Sequence, residues 1–97
     1  MLYAITTTDN PGSEDERARF RDGHLSHFKA HKGSIALSGP LSDEAGSPVG
    51  SLVVFEADRL ADARAFIEGD PFFKEGVWSH INVACFKASI HAADMLS

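Results

Sequence analysis

Hydrophobic positions fall into short runs whose spacing shifts between two and about four residues, and these shifts mark the elements. From Leu2 to Thr8, β-branched, aromatic and apolar side chains run into Asp9, Asn10, Pro11 and Gly12, which favour turns, so a first strand and its exit are predicted. Ser13 stands three residues before Glu16, the spacing of a capping box in which hydroxyl and carboxylate satisfy backbone donors at a helix start. The helix is expected from Glu14 to about Lys32, where Gly33 supplies a stop and Lys29 and Lys32 suit the negative end of the macrodipole. Gly23 interrupts it at a cost of about 1 kcal/mol relative to Ala. Phe20, His24 and Phe28 recur every fourth residue with Leu25 beside them, which places His24 on the apolar face.

Ser34 to Pro40 reads as a second strand, and the turn-rich run from Ser42 to Pro48 leads into a third, from Val49 to Glu56, so the two should form a hairpin. A second helix is expected from about Asp58 through Leu60, Ala63, Phe66 and Ile67, closed by Gly69 and Pro71, with Asp70 just past its end. A connection over Pro71 to Gly76 then feeds a last strand from Val77 to about Ala88, followed by an irregular tail over 89–97. The order β-α-β-β-α-β is that of a ferredoxin-like α+β sandwich, an antiparallel four-stranded sheet with two helices on one face, as a single domain with its core over about 2–88. Leu52, Val53, Val54 and Phe55 are apolar on both parities, whereas a strand with one solvated face should alternate. Two helices on one side leave the other face uncovered, which predicts a homodimer, or a higher oligomer, built by stacking sheets.

Composition narrows the function classes. Of the 97 residues 43% are hydrophobic and 24% charged, an ordinary globular balance, and no run approaches the ~20 apolar residues of a membrane span. The apolar start, Met1 to Ile5, has no basic lead and reads as a strand rather than a signal peptide, so a cytoplasmic location is expected, with no membrane as partner. Cys85 is the only cysteine, which excludes an intrachain disulfide and is expected to be a buried structural thiol. A formal charge of −5 opposes nucleic acid, and the run Gly50 to Phe55, although faintly like an RNA-binding strand, lacks the basic lead and most of the stacking aromatics.

Several short runs together resemble the YciI-like (YCII-related) family of the dimeric α+β barrels. They are Arg21-x-x-His24-Leu25 on the first helix, Ser38-Gly39-Pro40-Leu41 ending the second strand, Gly50-Ser51 opening the third, and Asp70-Pro71-Phe72 followed by Gly76-Val77. The likeness spans Leu2 to about Lys87, with one departure: Cys85 precedes Phe86 where the family's last strand usually has Pro. The resemblance implies a ferredoxin-like dimer whose active-site residues match His24 and Asp70. It also implies a small-molecule ligand, since the family includes a dehydrochlorinase-type activity and is similar in fold to the muconolactone isomerases.

The candidate chemistry follows from that match. A carboxylate beside an imidazole fixes one tautomer and favours the protonated ring, and such a dyad accepts and returns a proton. Each member has a plainer role open to it: a histidine between aromatics is more often packed core, and Asp-Pro after a helix is common turn chemistry. Ser51 is a candidate for the pocket wall or for a local backbone hydrogen bond. Arg21, one turn before His24, can hold an anionic substrate group or stand as a solvated charge. His24, His27 and His31 invite a metal reading, but His24 and His31 are about 10 Å apart in helical rise, so all three cannot share an ion. Solvent-facing His27 and His31 and no metal or other cofactor are expected. The function that emerges is a cofactor-free acid–base enzyme of dehydrohalogenase, isomerase or lyase type acting on a small cyclic or aromatic metabolite, with a non-catalytic binding module or a structural or regulatory dimer as alternatives.

Overall fold

A computed structural model describes residues 1–91. The elements are β1 (Leu2–Asp9), α1 (Glu14–Ala30), β2 (Ile35–Ser42), β3 (Pro48–Glu56), α2 (Leu60–Glu68), α3 (Pro71–Lys74) and β4 (Trp78–Phe86), with a 3-10 turn at Lys32–Ser34 between α1 and β2. The strands form one sheet in the order β2-β3-β1-β4, and every adjacent pair is antiparallel. This is the ferredoxin-like α+β arrangement, and the tail expected over 89–97 lies outside the described residues from 92 on.

Register assigns the faces. Tyr3, Ile5 and Thr7 stand opposite Phe55, Val53 and Ser51 of β3 and opposite Cys85, Val83 and Ile81 of β4. Tyr3, Ile5, Val53 and Phe55 are buried in one cluster with Ala63, Phe66 and Ile67 of α2, Phe72 of α3, and Val77 and Trp78, so this is the helix-covered face. Fully burying an aliphatic or aromatic side chain of this kind contributes roughly 1.5–3 kcal/mol. Ala4, Thr6, Leu52 and Val54 occupy the opposite parity, where Leu37 and Leu41 of β2 and Phe86 of β4 remain substantially exposed. The two apolar parities of β3 therefore serve two faces, of which the helices cover one. Gly50 is confined by the sheet itself, because a Cβ there would collide with the carbonyl oxygen of Thr7.

Several local expectations are corrected. α1 begins at Glu14, but Ser13 forms no capping box: its Oγ donates to the Asn10 carbonyl at 2.7 Å, leaving the acidic first turn of Glu14, Asp15 and Glu16 to complement the helix dipole. The helix ends at Ala30, where the His31 amide donates to the carbonyl of Phe28 and tightens the chain into the 3-10 turn. Gly23 does not break it. A Cβ at Gly23 would stand 3.1 Å from Pro71 Cγ, so the glycine lets α1 approach α3 closely. The expected irregular connection contains α3, with Asp70 as N-cap and Pro71 at the first helical position, where a missing N–H goes unnoticed. Cys85 is exposed rather than buried, because β4 is an edge strand and the residue lies one position from its end.

Candidate active site

Asp70 is drawn inward by the geometry of α3. As N-cap it turns its side chain back over the first turn, and Oδ1 accepts the Phe72 amide proton at 2.8 Å. The second oxygen, Oδ2, lies 2.8 Å from Nδ1 of His24, which reaches it from the middle of α1. Asp70 is fully buried and the His24 side chain is 13% exposed, so the pair sits at the boundary between core and solvent. A carboxylate only accepts hydrogen bonds, so Nδ1 carries a proton, and in the neutral ring Nε2 is left with the lone pair. No protein group among the described residues bonds Nε2.

Aromatic rings set the plane of the imidazole. Phe72 stacks on it at 4.1 Å between centroids and 6° between planes, Phe28 packs at 4.5 Å, and Trp78 meets it edge-on at 6.0 Å. The Trp78 indole N–H and Thr7 Oγ1 are buried with no partner among the described residues. Each such orphan costs about 1–3 kcal/mol.

His24 opens onto a cavity of about 300 Å³ between α1, β2 and β3. Arg21 and Ser51 line it as well, so three of the four residues singled out from the sequence share one hollow and the fourth holds His24 from behind. Arg17, not singled out, also lines it. Its Nε and Nη2 form a two-pronged contact with Asp9 at 2.9 and 3.0 Å, and its guanidinium carbon lies 5.0 Å from the Phe72 ring centroid. The available signal was its position seven residues before His24, on the same helical stripe.

His27 and His31 are half-buried against Phe66 rather than standing free in solvent. His27 stacks on Phe66 at 5.0 Å and donates from Nε2 to the Phe66 carbonyl, while His31 donates from Nδ1 to the His27 carbonyl and meets Phe66 edge-on. They border a separate hollow of about 550 Å³ and join α1 to α2. Among the described residues, no group of three or more His, Cys, Asp or Glu side chains is placed to hold a metal ion, and no helix is long and apolar enough to cross a membrane.

The model of the YCII-related domain matches residues 1–87. The chain belongs to this family. Protein YciI of Escherichia coli O6:H1 is 32% identical over 95 residues, covering 90% of this chain and 97% of that protein. An uncharacterised protein of Haemophilus influenzae is 30% identical with the same coverage. Among solved structures, 5-chloro-2-hydroxyhydroquinone dehydrochlorinase from Burkholderia phenoliruptrix, in complex with 2,5-dihydroxybenzoquinone, superposes with a TM-score of 0.80 at 29% identity, covering 90% of this chain and 94% of that one.

Proposed function

We propose that this YCII-related protein is a cofactor-free acid–base enzyme of dehydrohalogenase, isomerase or lyase type, acting on a small cyclic or aromatic metabolite through His24 and Asp70. The observation that carries this is the 2.8 Å contact between His24 Nδ1 and Asp70 Oδ2 beside a cavity that His24 lines. Nε2 takes a proton from the bound compound, the imidazolium is stabilised by Asp70, and the proton is returned to a product atom or leaving group. Arg21 and Ser51 bind the compound from the cavity wall. The likeness to a dehydrochlorinase at 29% identity supports elimination as the reaction type.

Chloride release from 5-chloro-2-hydroxyhydroquinone and related halogenated hydroquinones tests this reading. His24→Gln and Asp70→Asn should each slow release by roughly 10²–10⁴, and the double variant should be no slower than the worse single one, because a unit cannot be lost twice. Release at the wild-type rate by His24→Gln would overturn the proposal. The close packing of the imidazole by Phe28, Phe72 and Trp78 favours the alternative of a non-catalytic ligand-binding or structural dimer, in which the wild type itself releases nothing.

The same proposal includes a cytoplasmic homodimer joined through the sheet face of Leu37, Leu41, Leu52 and Val54. Support comes from the exposure of Leu37 and Leu41 beside Val54 on a face the helices do not cover. Light scattering should give twice the chain mass, Leu52→Asp should give monomer, and cell fractionation reads the location. A wild-type monomer at micromolar concentration overturns the dimer.

A further inference from the structure

The charges around the cavity do not match those of the chain. The protein carries 14 acidic and nine basic side chains, yet the cavity is lined by Arg17, Arg21 and no carboxylate. Arg21 makes no ion pair among the described residues. Asp9 occupies the Nε and Nη2 edge of Arg17 with a two-pronged contact while itself lying outside the cavity lining, so the guanidinium is held in one orientation with Nη1 unbonded among the described residues. Such a donor is ordered before any ligand arrives, which removes part of the entropic cost of binding an anion.

Spacing relates these cations to the imidazole. Arg17, Arg21 and His24 follow one another at i, i+4 and i+7, about 10 and 4.5 Å along the helix axis from His24 for the first and second. Phe28 and Phe72 supply flat apolar surface in the same cavity, whose volume of about 300 Å³ suits one ring with an acidic substituent. Building on the acid–base reading above, we infer that the substrate is a small organic anion whose charged oxygen is bound jointly by Arg17 and Arg21, with its scissile proton facing His24 Nε2. A carboxylate, enolate or phenolate fits this description. When Nε2 takes the proton, the substrate C–H or O–H bond breaks and its electron pair stays on the substrate, raising its negative charge. The guanidiniums stabilise that charge as it develops. Asp9 is a positioning residue that acts through Arg17.

Salicylate and its neutral amide, salicylamide, are probes of similar shape and different charge. NMR titration of the full chain should show salicylate moving the side-chain resonances of Arg21 and the ring of His24, with affinity falling as salt rises. Salicylamide should bind at least about tenfold more weakly, and Arg21→Gln and Arg17→Gln should each weaken salicylate by roughly 10- to 100-fold. Arg17→Lys should recover only part of the loss, because it restores charge without the planar fork. Asp9→Asn should weaken salicylate while leaving the Arg21 contribution intact. If Arg17→Gln fails to fold in a thermal melt, the exposed Arg21 carries the test alone. Equal binding of both probes, no binding of salicylate, or wild-type affinity in Arg21→Gln overturns the inference. Its failure separates from that of the acid–base reading: His24-dependent turnover of neutral compounds only would sink the anion class and leave the dyad standing. Arginine-dependent salicylate binding alongside turnover indifferent to His24→Gln would do the reverse.

Discussion

Replacing Asp70 by Asn isolates the dyad from the fold because the two oxygens of the carboxylate have different obligations. Oδ1 must face the Phe72 amide, a buried donor at 2.8 Å, and Asn meets that demand with its single oxygen. Asn and Asp are nearly equivalent as N-caps, so stability should change by no more than about 1 kcal/mol, or about 4–8 °C in melting temperature for a domain of this size. With the oxygen committed, the Asn NH2 points at His24 Nδ1, and two donors cannot face each other. The imidazole must then carry its proton on Nε2, and the lone pair on the cavity side is lost. General-base catalysis supplies roughly 10²–10⁴ in rate, which is the loss expected. Nitrogen-15 NMR of the ring should report a change from the Nδ1–H to the Nε2–H tautomer, with the melt recorded alongside. Asp70→Ala removes cap and partner together, at about 1 kcal/mol for the cap and about 1–3 kcal/mol for the buried groups left unpaired, and should melt well below Asp70→Asn. An Asp70→Asn protein that keeps Nδ1–H, or one that unfolds like Asp70→Ala, refutes the division of labour between the two oxygens.

Three stability predictions follow from packing. Gly50→Ala should cost about 2 kcal/mol or more by denaturant titration, since the added Cβ meets backbone of β1 that cannot turn aside; a neutral result would contradict the register of β1 and β3. Gly23→Ala gains up to about 1 kcal/mol of helix propensity but presses on Pro71 at 3.1 Å, so its melting temperature should not rise, and an increase of several degrees would show that α3 yields freely. Phe72→Ala empties a fully buried position and should lose about 3–5 kcal/mol in a chemical melt; a loss below 1 kcal/mol would mean the core closes over the space.

The four strands and the two longer helices were legible because runs of β-branched and apolar residues are bounded by turn residues, and because Phe20, His24 and Phe28 recur every fourth residue. α3 escaped because a four-residue helix shows no period, although Asp70 followed by Pro71 carries an N-cap and first-turn signature as well as a turn signature. The family resemblance picked out His24 and Asp70, and the structure brings them within a hydrogen bond across 46 positions of sequence. Arg17 was not legible in the same way. What distinguishes it from Arg19 is its contact with Asp9, which depends on how the turn after β1 folds α1 back. Cys85 was misjudged because a lone cysteine favours burial on average, while its place on an edge strand is a property of sheet order alone.

The sharing of Asp70 between Phe72 and His24 has a consequence for motion. The Phe72 amide is buried, so its hydrogen reaches water only when the first turn of α3 loosens, and that event withdraws the carboxylate from the imidazole at the same moment. The exchange rate of one backbone hydrogen thus counts how often the resting dyad comes apart, with no substrate present and no label attached to the histidine. A site that is rarely disassembled will keep that hydrogen for as long as the core strands keep theirs.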